Sequence, residues 1–257
     1  MLGEILKSGI AALGLKRPED LKRVMCIQPH SDDTDIGIGG TIAKLARYGC
    51  KVIYVTMTDD RASISDTSMS TEDIVRVRRK EQEEAAKVLG VGELIWLDYV
   101  DSELYTNLEA RSKLIALIRR DRPEAIFTVD PWITYEAHPD HRSTGIMASE
   151  AMIFSGLYNV NPEQLRGSLL PHQPGYMAYY VTPRPNTYVD ISDSLEVKLE
   201  AVRKHRTQFE GRWDFYESFM RFQAERYGRE IGKKYAEAFK IMPPFLLHYN
   251  VDAERLY

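Results

Sequence analysis

Apolar residues fall along the chain in a repeating order: a short continuous run, a turn, then a longer stretch with apolar positions three and four apart. Arg23–Gln28 (RVMCIQ) reads as a β-strand ending at a Pro-His turn. Thr41–Tyr48 carries Ile42, Leu45 and Ala46 on one face and is followed by Gly49, which predicts a helix with its stop. Lys51–Met57 (KVIYVTM) predicts a second strand, of the near-continuous apolar kind that is covered on both faces. The pattern continues with a long helix over Ser70–Leu89 closed by Gly90, a strand at Leu94–Leu97 and a helix over Asn107–Asp121. A fourth strand at Ala125–Val129 and a helix over His141–Phe154 follow. Strand and helix thus alternate four times over residues 20–155. That alternation predicts an α/β fold, a Rossmann-like three-layer sandwich with a mainly parallel sheet and right-handed crossovers. Such sheets bind ligands at the carboxyl ends of their strands.

The later third changes character. Met177–Val181 and Tyr188–Asp190 predict strands beside Pro183 and Pro185. Ser192–Thr207 predicts a helix capped by Ser192 or Asp193, and Trp213–Lys240 an aromatic-rich helix broken near Gly228. No linker or internal repeat interrupts the chain. Residues 1–257 therefore read as one domain, with a core over 1–155 and a C-terminal strand and helix elaboration over 156–257.

Composition narrows the function classes. The 257 residues are 44% hydrophobic and 28% charged, enough apolar material for a buried core and against a disordered chain. Lys and Arg total 34 against 38 Asp and Glu, a net charge of −4, which argues against nucleic acid and anionic membrane as partners. Cys26 and Cys50 sit in apolar, strand-like surroundings and read as buried thiols in a reducing compartment. Met1–Leu15 carries Glu4 and Lys7 inside its apolar pattern, unlike a signal peptide, and no window approaches the roughly 20 apolar residues of a membrane span. The expectation is a cytoplasmic protein.

Two polar clusters break the apolar pattern. Pro29-His30-Ser31-Asp32-Asp33 directly follows the first predicted strand, and His138-Pro139-Asp140-His141 follows the fourth and opens a helix. Two imidazoles and one carboxylate are a common protein contribution to a catalytic zinc, leaving a position open for water and substrate. His30 and Asp33, three residues apart, are aimed at one point by a tight turn, with His141 as the third ligand. The same donor set describes the facial triad of non-haem iron oxygenases, but the adjacent free acid Asp32 favours hydrolysis. Asp32 is left to take a proton from a metal-bound water whose pKa is brought down to about 7. His138, a short turn from His141, is expected either to donate to a developing oxyanion or to protonate a leaving amine, with Asp140 holding its ring and favouring its charged form. Gly37, Gly39 and Gly40 do not match the dinucleotide spacing and read as points of close backbone approach.

The two clusters resemble the signature of the LmbE-like, or PIG-L, zinc-dependent deacetylases. The likeness extends to Arg78-Arg79-Lys80-Glu81 with Leu89-Gly90, to Asp101-Ser102, and to the late Lys198, Ala201, His205 and Gln208. Within that family the chain is similar over nearly its whole length to archaeal diacetylchitobiose deacetylases, sharing Val55–Thr58, Asp130-Pro131-Trp132 and Phe239–Pro243. The resemblance implies removal of the N-acetyl group from N-acetylglucosamine-type sugars. It implies zinc at His30, Asp33 and His141, Asp32 as general base, His138 as transition-state stabiliser oriented by Asp140, and Arg78 and Asp101 toward sugar hydroxyls. It also implies a homo-oligomer, a hexamer, in which the C-terminal part completes a neighbour's pocket. Ser31 stands where the motif has Pro, which bears on loop rigidity and not on ligation. By residue type alone Arg78, on a charged helix, reads as solvated, His205 as a surface or packing residue, and His248 as a core histidine that otherwise reaches an adjacent site. Asp130 reads as a support of the metal loop or of a ring, and Trp132, Tyr135 and Trp213 as a stacking wall for a sugar or as core packing. Two further readings stand beside the main one: deacetylation of another glucosamine conjugate or a non-sugar amide, and a sugar-binding module that has lost activity.

Overall fold

The computed structural model describes residues 14–64, 68–250 and 253. Of the amino-terminal segment Met1–Leu15, only Gly14 and Leu15 fall among them. Among the described residues there are seven strands: β1 (Arg23–Gln28), β2 (Lys51–Thr58), β3 (Glu93–Tyr99), β4 (Ala125–Val129), β5 (Tyr176–Tyr180), β6 (Thr187–Asp190) and β7 (Ala236–Met242). They form one sheet in the order β3-β2-β1-β4-β5-β7-β6. The first five run parallel, and β7 runs antiparallel to both β5 and β6. The helices are α1 (Asp33–Arg47), α2 (Thr71–Leu89), α3 (Leu108–Asp121), α4 (Pro139–Ser155), α5 (Pro162–Arg166), α6 (Leu195–Val202), α7 (Arg206–Phe209) and α8 (Trp213–Glu230).

The period-two geometry of the strands splits the apolar residues between two cores. Val24, Cys26, Tyr54, Phe127 and Tyr180 face α1, α6 and α8, whereas Met25, Ile27, Val55, Ile126 and Tyr179 face α3 and α4. Cys26 and Cys50 are both buried and unpaired. Because β2 and β4 lie on opposite sides of β1, the strand order reverses there. A crevice opens at such a reversal, outside the carboxyl ends of the strands.

The predicted helix at Thr41–Tyr48 is the second half of α1. The first half begins at Asp33, and the two meet at a kink at Ile38 (φ −143°, ψ 22°). A Cβ at Gly37 would lie 2.6 Å from the Tyr180 ring on β5, so the close approach to the sheet requires glycine. The kink restarts the helix with free N–H groups, and the buried Glu237 carboxylate accepts from Gly40 (3.0 Å) and Thr41 (2.7 Å). Lys198 Nζ neutralises that carboxylate at 2.7 Å. A buried carboxylate so paired and hydrogen-bonded is tolerable where an isolated one is not.

The later third departs from expectation. The helix predicted over Ser192–Thr207 is α6 and α7, separated at His205, and α6 begins after Ser194, whose side chain does not cap it. The predicted helix over Trp213–Lys240 ends at Glu230, and Ala236–Met242 is instead the fully buried β7. The run AEAFKIM has helix-forming composition; pairing on both sides with β5 and β6 overrides that preference. The short α5 was not anticipated. Elsewhere element ends shift by only a few residues.

Candidate metal centre and active site

The loop after β1 and the loop after β4 meet at the strand-order reversal. In the first, the Asp33 carboxylate turns back to accept the His30 N–H (2.9 Å), which closes the turn and sets the two side chains together. His30 Nδ1 lies 3.2 Å from Asp33 Oδ2, and His141 Nε2 lies 3.6 Å from Asp33 Oδ1. Potential ligand atoms of His30, Asp33 and His141 lie within 4.8 Å of one another. The structure thus brings together the three residues expected as ligands.

The outer nitrogens of both rings are held by carboxylates. His30 Nε2 faces Asp140 (3.2 Å) and Asp101 (3.4 Å), and His141 Nδ1 faces Glu136 (3.0 Å). A carboxylate there fixes the N–H on the outer nitrogen and turns the inner lone pair toward Asp33. Two lone-pair bearers then face each other at each edge of Asp33, which is favourable only with positive charge between them. Burial lowers the His30 pKa, but hydrogen bonds with Asp101, Asp140 and Asp33 outweigh it and push the imidazole well above its ordinary value. Burial pushes Asp33 up, and His141 and His30 overcome this to hold it well below the usual carboxylate range. A donor set that retains a proton on His30 to balance its charge, with each ring steadied from outside, fits a divalent cation.

Asp32 stands apart from that cluster. Its carboxylate is drawn to Arg78 (3.1 Å) on α2. Arg78 is not solvated as its charged helix suggests: it is 1% exposed and also pairs with Asp60 (3.1 Å) and Glu81 (2.8 Å). Nor does it present a free face to a sugar, because these carboxylates occupy both terminal nitrogens. Ser31 donates its N–H (3.1 Å) and its hydroxyl to Asp60, so hydrogen bonds supply the stiffness that the motif's proline would have given. Asp101 likewise turns inward. Burial raises its pKa, but the His30 hydrogen bond leads the opposing interactions, with the Ala62 N–H and Ser102 hydroxyl, and they bring it to about 2.

Two expectations for the second loop are corrected. The Asp140 carboxylate bonds to His30 and accepts from the N–H groups of Ser102 (2.7 Å) and Leu104 (3.1 Å); it orients His30 rather than His138. The charged form of His138 is not favoured, since burial and the neighbouring His30 and His141 rings push its pKa below the ordinary value. His138 Nδ1 instead accepts from the Asp140 backbone N–H (3.3 Å) as the cap of α4. The proton of the neutral ring then sits on Nε2, which makes that nitrogen a donor.

These groups line a cleft of about 280 Å³ that includes His30, Asp32, Asp33, Arg78, His138 and His141. A larger cavity of about 380 Å³ lies elsewhere, bounded by Trp132, Tyr179, Lys240 and Met242, and holds none of the metal-ready groups. Trp132 packs edge-on against Tyr179 (5.4 Å) and is 60% exposed. Tyr135 projects into solvent, and Trp213 packs against Phe209 on the opposite core, so the three aromatics form no common wall. Asp130 accepts the Trp132 N–H (2.9 Å) and so supports its loop. His205 is wholly buried and bonded to Asp35 (2.8 Å), which makes it a packing residue behind Arg78. His248 is exposed and outside the cleft, so the core reading fails. Glu136 and Asp60 were missed. Glu136 stands two residues before His138 in a run already dense in ligand types, while nothing local marks Asp60, whose role depends on Arg78 reaching it.

Comparison with known proteins adds an independent line. A profile of the GlcNAc-PI de-N-acetylase (PIG-L) family matches residues 25–152. The chain is 42% identical over 230 residues to the diacetylchitobiose deacetylase of Thermococcus kodakarensis, covering 89% of this chain and 86% of that one. The structure superposes on the N,N'-diacetylchitobiose deacetylase from Pyrococcus horikoshii with a TM-score of 0.88 at 44% identity, covering 92% of this chain and 90% of that one. A 4-carboxy-2-hydroxymuconate hydratase from Pseudomonas putida shares the fold at 22% identity (TM-score 0.72; 86% of this chain, 96% of that one), so the architecture alone does not name the reaction. Identity of this extent, over most of both chains, shows that the chain belongs to the PIG-L de-N-acetylase family.

Proposed function

We propose that the protein is a zinc-dependent hydrolase that removes the N-acetyl group from N-acetylglucosamine-containing sugars, with diacetylchitobiose or short chito-oligosaccharides as substrates. The observation that carries this reading is the convergence of His30, Asp33 and His141 beside an acid, Asp32, that is held away from them by Arg78. Those three side chains would hold the ion, with Asp140, Asp101 and Glu136 steadying the imidazoles. When bound, the ion supplies a Lewis acid that polarises the acetyl carbonyl and acidifies the attacking water.

Asp32 takes the proton from that water as its oxygen bonds to the carbonyl carbon. His138 Nε2–H donates to the oxygen that gains negative charge; a neutral imidazole suffices for this, as its tautomer is set by the cap hydrogen bond. The C–N bond then breaks, Asp32 returns its proton to the departing nitrogen, and acetate and a free amino sugar result. Trp132, exposed on the loop that leads to His138, borders the larger cavity and would stack only on a part of the substrate that extends beyond the metal cleft. Arg78 and Asp101 shape the cleft through Asp32 and His30.

The relatives' names support this substrate class, since both act on diacetylchitobiose. A homo-oligomer, reaching the hexamer implied by the resemblance, belongs to the same reading; in it the exposed His248, which lies outside its own chain's cleft, would serve a neighbour's site. The buried, unpaired thiols support a cytoplasmic location. Among the described residues, no helix is long and apolar enough to cross a membrane. Metal analysis followed by an acetate-release screen over chito-oligosaccharides and other glucosamine conjugates tests the proposal. Release from none of them, by protein carrying stoichiometric metal, would refute it.

A further inference from the structure

The outer face of α8 carries a stripe that the proposed reaction does not use. Phe215, Phe219 and Phe222 are 70%, 53% and 63% exposed, and Arg226 continues the same face. The opposite face buries Met220 and Ala224 in the core and Gly228 against the backbone of Lys233 and Lys234, so the helix cannot turn the phenylalanines inward. Solvated single aromatics are ordinary, but three in one helical line form a contiguous apolar patch.

We propose that this stripe is the contact between two copies of the chain, paired by antiparallel α8 helices about a two-fold axis. The spacing carries the argument. Positions 215, 219, 222 and 226 follow the four-three-four step of a helical seam, and the series reads the same from either end. An axis passing midway between Met220 and Arg221 sets Phe219 of each copy against Phe222 of the other. It also sets Phe215 against Arg226, a guanidinium that already lies over its own Tyr227 ring at 4.8 Å and so accepts aromatic neighbours. The same axis matches Ser218 with Gln223, giving the seam a polar rim. A self-complementary patch of this kind closes as a dimer and does not propagate.

The rings supply a large share of the area a stable pair needs. At about 200 Å² per phenylalanine, these exposures leave roughly 750 Å² across two copies from the six rings alone. That is about half of a standard interface of roughly 1,600 Å², before the flanking arginine, serine and glutamine side chains are counted. None of the residues that line the metal cleft lies on α8, so the stripe is separate from the site.

The inference names the surface and symmetry of one contact and rests on the homo-oligomer reading. Sedimentation of the full chain separates the two. Wild type is expected at an even multiple of the 29.5 kDa chain mass. Phe219→Glu, at an exposed position and with unchanged circular dichroism, should weaken the pairing at least tenfold and halve the particle mass. Adding Phe222→Lys to Phe219→Glu should restore the mass, because the two-fold sets the new Glu against the new Lys of the other copy. An oligomer indifferent to Phe219→Glu overturns this surface alone. A chain monomeric at every concentration overturns both readings.

Discussion

Exchanging Asp32 for asparagine separates proton transfer from metal holding. The substitution keeps the shape of the side chain and touches none of His30, Asp33 and His141. Its carboxylate lies 3.1 Å from a guanidinium that has Asp60 and Glu81 as its other carboxylate partners. The asparagine carbonyl oxygen still accepts from Arg78, so the structural loss is that of one charge-assisted hydrogen bond made neutral, on the order of 1 kcal/mol. The kinetic loss is larger, because the amide cannot accept the water's proton. A positioned general base contributes roughly 10²–10⁴-fold, or about 3–5 kcal/mol of barrier. The expected variant therefore folds, retains stoichiometric metal after dialysis and releases acetate at least a hundredfold more slowly, with the deficit in kcat. Acetate release at saturating substrate and metal content on the same sample decide it. Undiminished turnover would remove Asp32 from the mechanism, and loss of metal would show that it is a ligand.

Three further outcomes follow from the same geometry. Asp33→Ala removes the one carboxylate that faces both imidazoles, and the dialysed variant should contain no metal by elemental analysis. Glu136→Gln loosens the outer nitrogen of His141; by the usual effect of such partners it should weaken metal affinity roughly 10–100-fold in chelator competition while wild-type secondary structure is kept. Asp101 at about 2 in the folded metal-free protein lies below the ordinary value near 3.9, so it contributes stability above about pH 4 that is lost as pH falls toward 2. Acid unfolding of metal-free Asp101→Asn should accordingly show a shallower loss over that window, by on the order of 1–2 kcal/mol.

The alternation of apolar runs with amphipathic stretches is local, and so it was legible along the chain: five parallel strands need crossovers, and the crossovers are written in the sequence as helices. The ligand types of the site were legible for the same reason, since His30 with Asp33 and His138 with His141 are each within one turn, and both loops follow strands. What three-dimensional packing alone decided is how charges share partners across distant segments. Asp140 turned to His30 rather than to its neighbour His138 because Ser102 and Leu104, from the loop after β3, hold its oxygens there. Arg78 left solvent because Asp32 and Asp60, at the ends of two other strands, gather round it. Ala236–Met242 became a strand against its helical composition because two sheet edges were available to pair it. Propensity and motif act over a few residues, whereas these outcomes turn on which buried polar group is nearest once the backbone has closed, and that distance is a property of the fold.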